Sequence, residues 1–263
     1  MSDSARDRAI ASWLSDRIAE GRMPGAVWWV GDLDGPVSRG ALGCAALEPD
    51  REPARTTTVY DLASLTKPLS TATLAALLEQ DGGLDLARPC EAWLPEFRGG
   101  PYADATLLDL ACHRSGMPAW APLYVRARDR DSALAAIASE PPERERGSTG
   151  YSDLGYIALG IAIERATGRD LAALFRERVA APLGLDGIGY GVDPARTTSV
   201  APSERGNAFE RTLAGERAAG HRFRDRLIRG TVHDGNAHAL GGVAGHAGLF
   251  GTAADVARIA LAW

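Results

Sequence analysis

The sequence is almost without lysine. Its 263 residues hold 28 arginines and a single lysine, Lys67. Guanidinium does not lose its proton in proteins, so Lys67 is the one basic side chain of this kind that can act as a proton acceptor. Cysteine is scarce as well. Cys44, Cys90 and Cys112 are odd in number and lack metal-ligand spacing, which argues against a disulfide scaffold or a thiolate zinc site and leaves reduced, mostly buried thiols. No apolar run reaches the roughly 18 residues of a membrane span, and the first stretch, MSDSARDRAIASWLSDRIAEG, is a charged amphipathic segment rather than a signal peptide. A cytoplasmic protein is expected. Positive charge is not in excess either. The net charge is −5 with arginines and acids interspersed, so no global field draws in phosphate backbones and nucleic acid is not an expected partner.

What is present is ordinary for a globular chain: 45% hydrophobic and 24% charged residues, with no internal repeat. The length suits one large domain or two interleaved ones. Ile10, Trp13, Leu14 and Ile18 recur at helical spacing, with Ser4 as N-cap and Gly21 at the end. Strand-like runs at 26–30 and 37–44, joined by Asp32, Asp34, Gly35 and Pro36, predict a hairpin. From Ser64 to Gln80 the pattern turns helical. Further helices are expected after the capping box Thr106-x-x-Asp109, ending at Ser115-Gly116, and after Asp131. Others are expected over 154–167 and 171–180, and after the capping box Thr252-x-x-Asp255. Residues 186–235 read as irregular.

The lone lysine sits in Asp61-Leu-Ala-Ser-Leu-Thr-Lys-Pro68, three residues after a serine. On a helix, positions three apart share a face, so Ser64 Oγ and Lys67 Nζ can meet. A serine hydroxyl attacks carbonyl carbon only when a neighbouring base relieves it of its proton. If Ser64 starts the helix, its backbone N–H can also face a developing oxyanion. Ser-x-x-Lys by itself is a weak motif. Its placement in an apolar stretch, where a solvated cation has little reason to be, strengthens it. A second element is Gly150-Tyr-Ser-Asp-Leu-Gly155, where Tyr151 and Asp153 precede a strongly apolar helix. Seen alone, Asp153 is as well explained as a helix cap and Tyr151 as a groove filler.

These motifs together resemble the serine β-lactamase and penicillin-binding-protein superfamily, in its class C-like branch with DD-peptidases and β-lactamase-like carboxylesterases. The resemblance runs through DLASLTKPLSTATLAALLEQDGGLDL, LLDLACHRSGMP, YSDLGYIALGIAIERATGRDL with APLGL after it, and GGVAGHAGLFGTAADVARIA, in family order from residue 25 to the end. It implies an α/β (α+β) fold in which helices flank an antiparallel sheet and an all-helical domain is inserted. Residues 1–80 and 190–263 would form the sheet-bearing part and 81–189 the helical domain. It implies Ser64 as acylated nucleophile, with Lys67 and Tyr151 sharing the general-base role and no metal or organic cofactor. Asp153 stands where the family usually has Asn. A carboxylate there favours the Lys67 ammonium, moves the proton acceptor toward Tyr151, and repels anionic substrates. His246-Ala-Gly248 is similar to the family's third motif but has Ala in the hydroxyl position and runs straight toward the Thr252 helix. His246 and Gly248 are therefore expected to line the pocket, and the strand-borne motif, with the closing C-terminal strands, is expected beyond Trp263.

Esterase-like hydrolysis of a small-molecule ester or amide is the leading expectation. β-Lactam or D-Ala-D-Ala hydrolysis is the alternative. A truncated, non-catalytic remnant is the alternative of another class. His233 and His238 are five apart, off the same-face spacing of a helical metal pair, and His113 reads as a structural histidine at a helix end.

Overall fold

A computed structural model describes residues 3–192 and 199–263. Helix α1 (Asp3–Ala19) starts one residue ahead of Ser4, so Ser4 lies in its first turn and not at the cap. Gly21, at φ +69°, ends it. Its buried stripe packs on the hairpin of β1 (Gly25–Asp32) and β2 (Gly35–Ala46). Leu14 is buried, but Trp13 faces out under the guanidinium of Arg17. The hairpin is longer than expected, because Asp32, Gly35 and Pro36 pair within the strands and only Leu33 and Asp34 make the turn. A bulge between Val30 and Gly31 absorbs the change of register. β3 (Glu52–Pro53) adds to β2, so β1 ends this sheet. Beside it, Val27, Trp29, Tyr60, Leu65, Val256 and Leu261 line an apolar groove.

A second sheet is the one that carries the site. β8 (Leu249–Gly251) lies between β4 (Tyr60–Asp61) and β5 (Gly189–Tyr190), antiparallel to both. β6 (Glu204–Arg205) and β7 (Leu227–Ile228) form a separate pair. The stretch 186–235, expected to be irregular, therefore holds short strands and also helix α7 (Ala208–Ala214); 193–198 lie outside the described residues. Nor does His246-Ala-Gly248 pass directly into the Thr252 helix, since the three residues of β8 intervene.

Helical boundaries follow side-chain caps. α3 (Leu107–Ala111) opens on the reciprocal Thr106–Asp109 box but stops at Cys112, short of Ser115, where His113 takes φ +56°. α4 (Arg130–Ala138) is capped by Asp129, not headed by Asp131, because Ser132 closes a reciprocal box with Asp129. α5 (Asp153–Thr167) is capped by Ser152 and closed by left-handed Gly168, and α6 (Leu171–Phe175) by Asp170. α2 (Thr73–Gln80), α8 (Gly235–Ala239) and α9 (Ala253–Leu261) complete the order, the last on its Thr252–Asp255 box.

One cluster of buried side chains runs from Val59 to Ile259, with α5 at its centre: every residue from Leu154 to Ile163 is buried. The glycine run crosses this helix at van der Waals contact. A Cβ on Gly245 would lie 2.0 Å from the Tyr156 carbonyl oxygen, so only glycine lets the two backbones approach. That crossing brings residues 245–249 to the turn bearing Ser64 and Lys67. No helix among the described residues is long and apolar enough to cross a membrane.

Candidate active site

β4 delivers the chain into a turn that is not regular α-helix. Ser64 sits in a single 3-10 turn (Ala63–Leu65), and Lys67 opens a wide π-type turn (Lys67–Ala72) that runs into α2. Pro68 has no N–H to donate to the Ser64 carbonyl and its ring crowds that oxygen, which interrupts the α ladder where the sequence reading placed one continuous helix. Ala63 is held at φ +45°, a region that strains a residue with a Cβ. The Asp61 carboxylate restrains it, accepting the Ala63 N–H at 2.9 Å through Oδ1 and the His233 N–H at 2.8 Å through Oδ2. Burial raises the Asp61 carboxyl above its ordinary range, and these two N–H groups pull against that rise. From the other side Thr66 Oγ1 accepts the Leu249 N–H at 3.1 Å, and the Leu62 N–H reaches Leu249 O at 2.8 Å.

This turn leaves Ser64 exposed and Lys67 buried. Lys67 Nζ donates to Ser64 Oγ at 2.9 Å and to the His246 carbonyl at 3.2 Å, and it pairs with Asp153 Oδ1 at 2.6 Å. Two N–H groups thus meet acceptors in hydrogen-bond geometry, and Asp153 supplies the counter-charge. As an ammonium the side chain is satisfied and offers no lone pair. Tyr151 OH donates to the same Ser64 Oγ at 2.7 Å, and its ring centroid lies 4.8 Å from Nζ. The structure therefore brings Ser64, Lys67, Tyr151 and Asp153 together within direct contact.

The loop before α5 aims Tyr151 and Asp153. Ser152 Oγ accepts the Gly155 N–H as N-cap and itself donates to Pro118 O at 2.6 Å, while the Asp153 N–H binds Ala119 O at 2.8 Å. His113 supports the same loop: its Nδ1 accepts the Ser152 N–H at 3.0 Å, and its ring packs 4.7 Å from Tyr151 and 4.9 Å from Tyr156. Burial, reinforced by the nearby Lys67 charge, lowers the His113 pKa, which suits a neutral ring with an acceptor nitrogen. Tyr156, pushed up to about 12 mainly by burial, donates to Ala111 O.

His246 and Gly248 take other places than a pocket wall. The His246 side chain is 1% exposed, and its Nε2 bonds Asp234 Oδ1 at 2.8 Å; the carbonyl alone meets Lys67. Gly248, at φ +126°, is buried and gives its carbonyl to the Gly191 N–H. Burial would raise Asp234, yet His246 and the Ala237 N–H outweigh it and hold this carboxyl well below the usual range. His233 pairs with Glu204 at 3.4 Å. Among the described residues no three His, Cys, Asp or Glu side chains group as a metal site would need.

Sequence reasoning missed Asp61, Asp234 and His113 as supports of the site. The carboxylate of Asp61, three residues before Ser64, was a signal that could have been read.

Behind Asp234 lies Glu210, buried, with Oε1 accepting the Gly235 N–H at 2.6 Å. Burial and, after it, the Asp234 charge push its carboxyl up from 4.5 to about 7. A carboxyl whose pKa rises on folding stabilises the native state below its unfolded value and loses that contribution as pH climbs through the folded value. Glu210→Gln is therefore expected to match wild type near pH 4 and to be more stable above pH 7, by about 3 kcal/mol. Urea unfolding at pH 5 and pH 8 checks this; an equal difference at both pH values would contradict it.

Comparison with known proteins gives the family. The beta-lactamase family model matches residues 10–263. The chain is 29% identical to an N-acetylmuramyl-L-alanine amidase of Bacillus subtilis (strain 168), over 95% of this chain and 61% of that protein. It is 32% identical to Esterase EstB of Burkholderia gladioli, over 92% of this chain and 66% of the esterase. A class C beta lactamase structure from Rhodobacter sphaeroides superposes with a TM-score of 0.74 at 26% identity, covering 95% of this chain and 63% of that one. The chain thus spans about two thirds or less of the length of these relatives. A family match along nearly its whole length places the chain in the beta-lactamase family.

Proposed function

We propose that this chain is a serine hydrolase that cleaves neutral carboxylic esters or amides through an acyl intermediate on Ser64. The observation that carries the reading is the exposed Ser64 Oγ held between Lys67 Nζ at 2.9 Å and Tyr151 OH at 2.7 Å. Lys67, as an ammonium paired with Asp153, has no lone pair with which to accept, so Tyr151, as the phenolate, is the group that removes the serine proton. Oγ then bonds to the acyl carbon, the Ser64 backbone N–H supplies one oxyanion donor, and the leaving group departs with the proton from Tyr151. Water enters, gives a proton to Tyr151 and attacks the acyl carbon; the proton returns to Ser64 as the acid leaves. The Lys67 charge beside Oγ and the phenol ring stabilises the negative charge passing between them.

The preference for neutral substrates rests on Asp153, whose carboxylate would oppose a second carboxylate in the pocket. The names of the relatives, an esterase and an amidase, support the ester and amide chemistry. β-Lactam or D-Ala-D-Ala hydrolysis is the second reading, favoured by the likeness to the class C beta lactamase. On either reading the site belongs between the sheet-bearing segments 1–80 and 190–263 and the helical segment 81–189. Cytoplasmic action is part of the same proposal, supported by Cys44, Cys90 and Cys112 standing as free thiols; fractionation of the host cell tests it.

Turnover of p-nitrophenyl acetate, nitrocefin and a D-Ala-D-Ala peptide decides between the readings. Ester hydrolysis is expected to dominate and to fall by about 10⁴-fold or more in Ser64→Ala. Asp153→Asn is expected to shift the ratio toward nitrocefin. A wild-type kcat/KM higher for nitrocefin than for the ester would favour the second reading. Absence of turnover and of any acyl label would leave a non-catalytic binding module.

A further inference from the structure

The His246 carbonyl that accepts from Lys67 Nζ belongs to a residue whose own side chain is held by a partly buried polar contact. His246 Nε2 bonds Asp234 Oδ1 at 2.8 Å, and Asp234 is anchored in turn as the cap of α8, accepting the Ala237 N–H at 2.7 Å. The preceding residue, His233, sends its N–H to Asp61 Oδ2 at 2.8 Å, and Asp61 Oδ1 holds the Ala63 N–H at 2.9 Å, one residue before the nucleophile. A single dipeptide, His233-Asp234, therefore grips the catalytic pair from both ends: the Ser64 turn through Asp61, and the Lys67 ammonium through His246. The peptide at 246 needs such a grip. It lies between Gly245 and Gly248 in a run whose glycines leave the backbone free to rotate. Its other restraints act on neighbouring residues, where Gly245 O accepts Thr71 Oγ1 at 2.7 Å and the Leu249 N–H binds Thr66 Oγ1.

We propose that Asp234 and His246 are positioning residues, and that the His233-Asp234 dipeptide is a brace that fixes the Lys67 ammonium against Ser64. The inference rests on the reading of Ser64 as nucleophile. The brace ends on two backbone groups, the Ala63 N–H and the His246 carbonyl, so its loss displaces Nζ and Oγ relative to each other without removing any reacting group. A displacement of about 1 Å in such a pair lowers rate by up to about 10²-fold.

The test uses the full chain labelled with ¹⁵N-lysine, which reports a single Nζ because Lys67 is the only lysine. The second readout is the rate at which a fluorophosphonate adds to Ser64, fluoride leaving as Oγ bonds to phosphorus. His246→Ala is expected to slow addition by about 10–100-fold and to move or broaden the Nζ signal. His246→Gln, whose amide N–H can still reach Asp234, is expected to recover most of the rate and the wild-type signal. Asp234→Asn keeps a good cap for α8, so it stays folded if His246→Ala does not, and is expected to show the same two changes in smaller measure. A folded His246→Ala or Asp234→Asn protein with the wild-type rate and an unmoved Nζ signal overturns the brace, even if its melting temperature has fallen. Should wild type take no label on Ser64, the nucleophile reading fails alone, and the Nζ signal still decides the brace.

Discussion

Lys67→Met is expected to lower the rate of Ser64 acylation by about 10³-fold and to cost the fold about 3–5 kcal/mol. Methionine has a similar length and tolerates an apolar slot, so the loss is electrostatic rather than steric. Two consequences of one deletion are separable. The rate falls because Oγ loses the Lys67 cation in contact with it. Stability falls because Asp153 Oδ1, which pairs with Nζ at 2.6 Å, is left as a largely buried carboxylate without its counter-ion. The double variant Lys67→Met with Asp153→Asn is therefore expected to regain most of the stability and none of the rate. Urea unfolding and the kinetics of acyl-enzyme formation, measured on all three proteins, check the pattern. A double variant as unstable as the single one would contradict the ion-pair account. Lys67→Arg is expected to be no better for rate, since a planar guanidinium cannot point one nitrogen at three acceptors set around a point.

Tyr151→Phe is expected to give a different profile, a fall of about 10²–10⁴-fold in acylation with a change in stability within about 0.5 kcal/mol. The ring stays against His113, and only the hydroxyl is removed. Among the described residues that hydroxyl makes a single hydrogen bond, to Ser64 Oγ, and the side chain is half exposed. If Tyr151 carries the proton, the residual rate should rise with pH as hydroxide replaces it, and an external phenol or amine should restore part of it. A Tyr151→Phe enzyme acylated at the wild-type rate would assign the proton to Lys67 instead.

Much of the site was legible in the sequence because its chemistry lies in two short segments. The uniqueness of Lys67 and its spacing from Ser64 pointed to a pair that the fold does bring into contact. The route differs: a 3-10 turn followed by a wide turn, forced by Pro68, replaces the regular helix assumed by the spacing argument. Tyr151 and Asp153 were found through a tripeptide whose alternative reading, a cap at Asp153, is resolved by Ser152 taking the cap itself. What could not be read is long-range. Asp61 and His233 are 172 residues apart, and nothing local in either marks the other. His246 is expected at the pocket because His246-Ala-Gly248 is similar to a family motif, and that likeness gives no sign of which way the ring turns. Here the partly buried Asp234 carboxylate, 2.8 Å from Nε2, decides it. β8 escapes a reading of the sequence because three residues are too few to show alternation, and the cap at Asp129 escapes it because Asp131, the expected head of α4, is an acid near the same helix start. Only the reciprocal bond from Ser132 separates them.

The central claim is that Ser64 Oγ, armed by Lys67 and Tyr151, forms a covalent acyl intermediate. Its most direct test is a time course of intact-protein and peptide mass after mixing with an activated ester, run on wild type, Ser64→Ala and Tyr151→Phe. The account predicts one acyl increment, located on Ser64, that accumulates and decays in wild type, forms far more slowly in Tyr151→Phe and never appears in Ser64→Ala. An increment that persists in Ser64→Ala, or hydrolysis of the ester with no increment on Ser64 at any time, would contradict it.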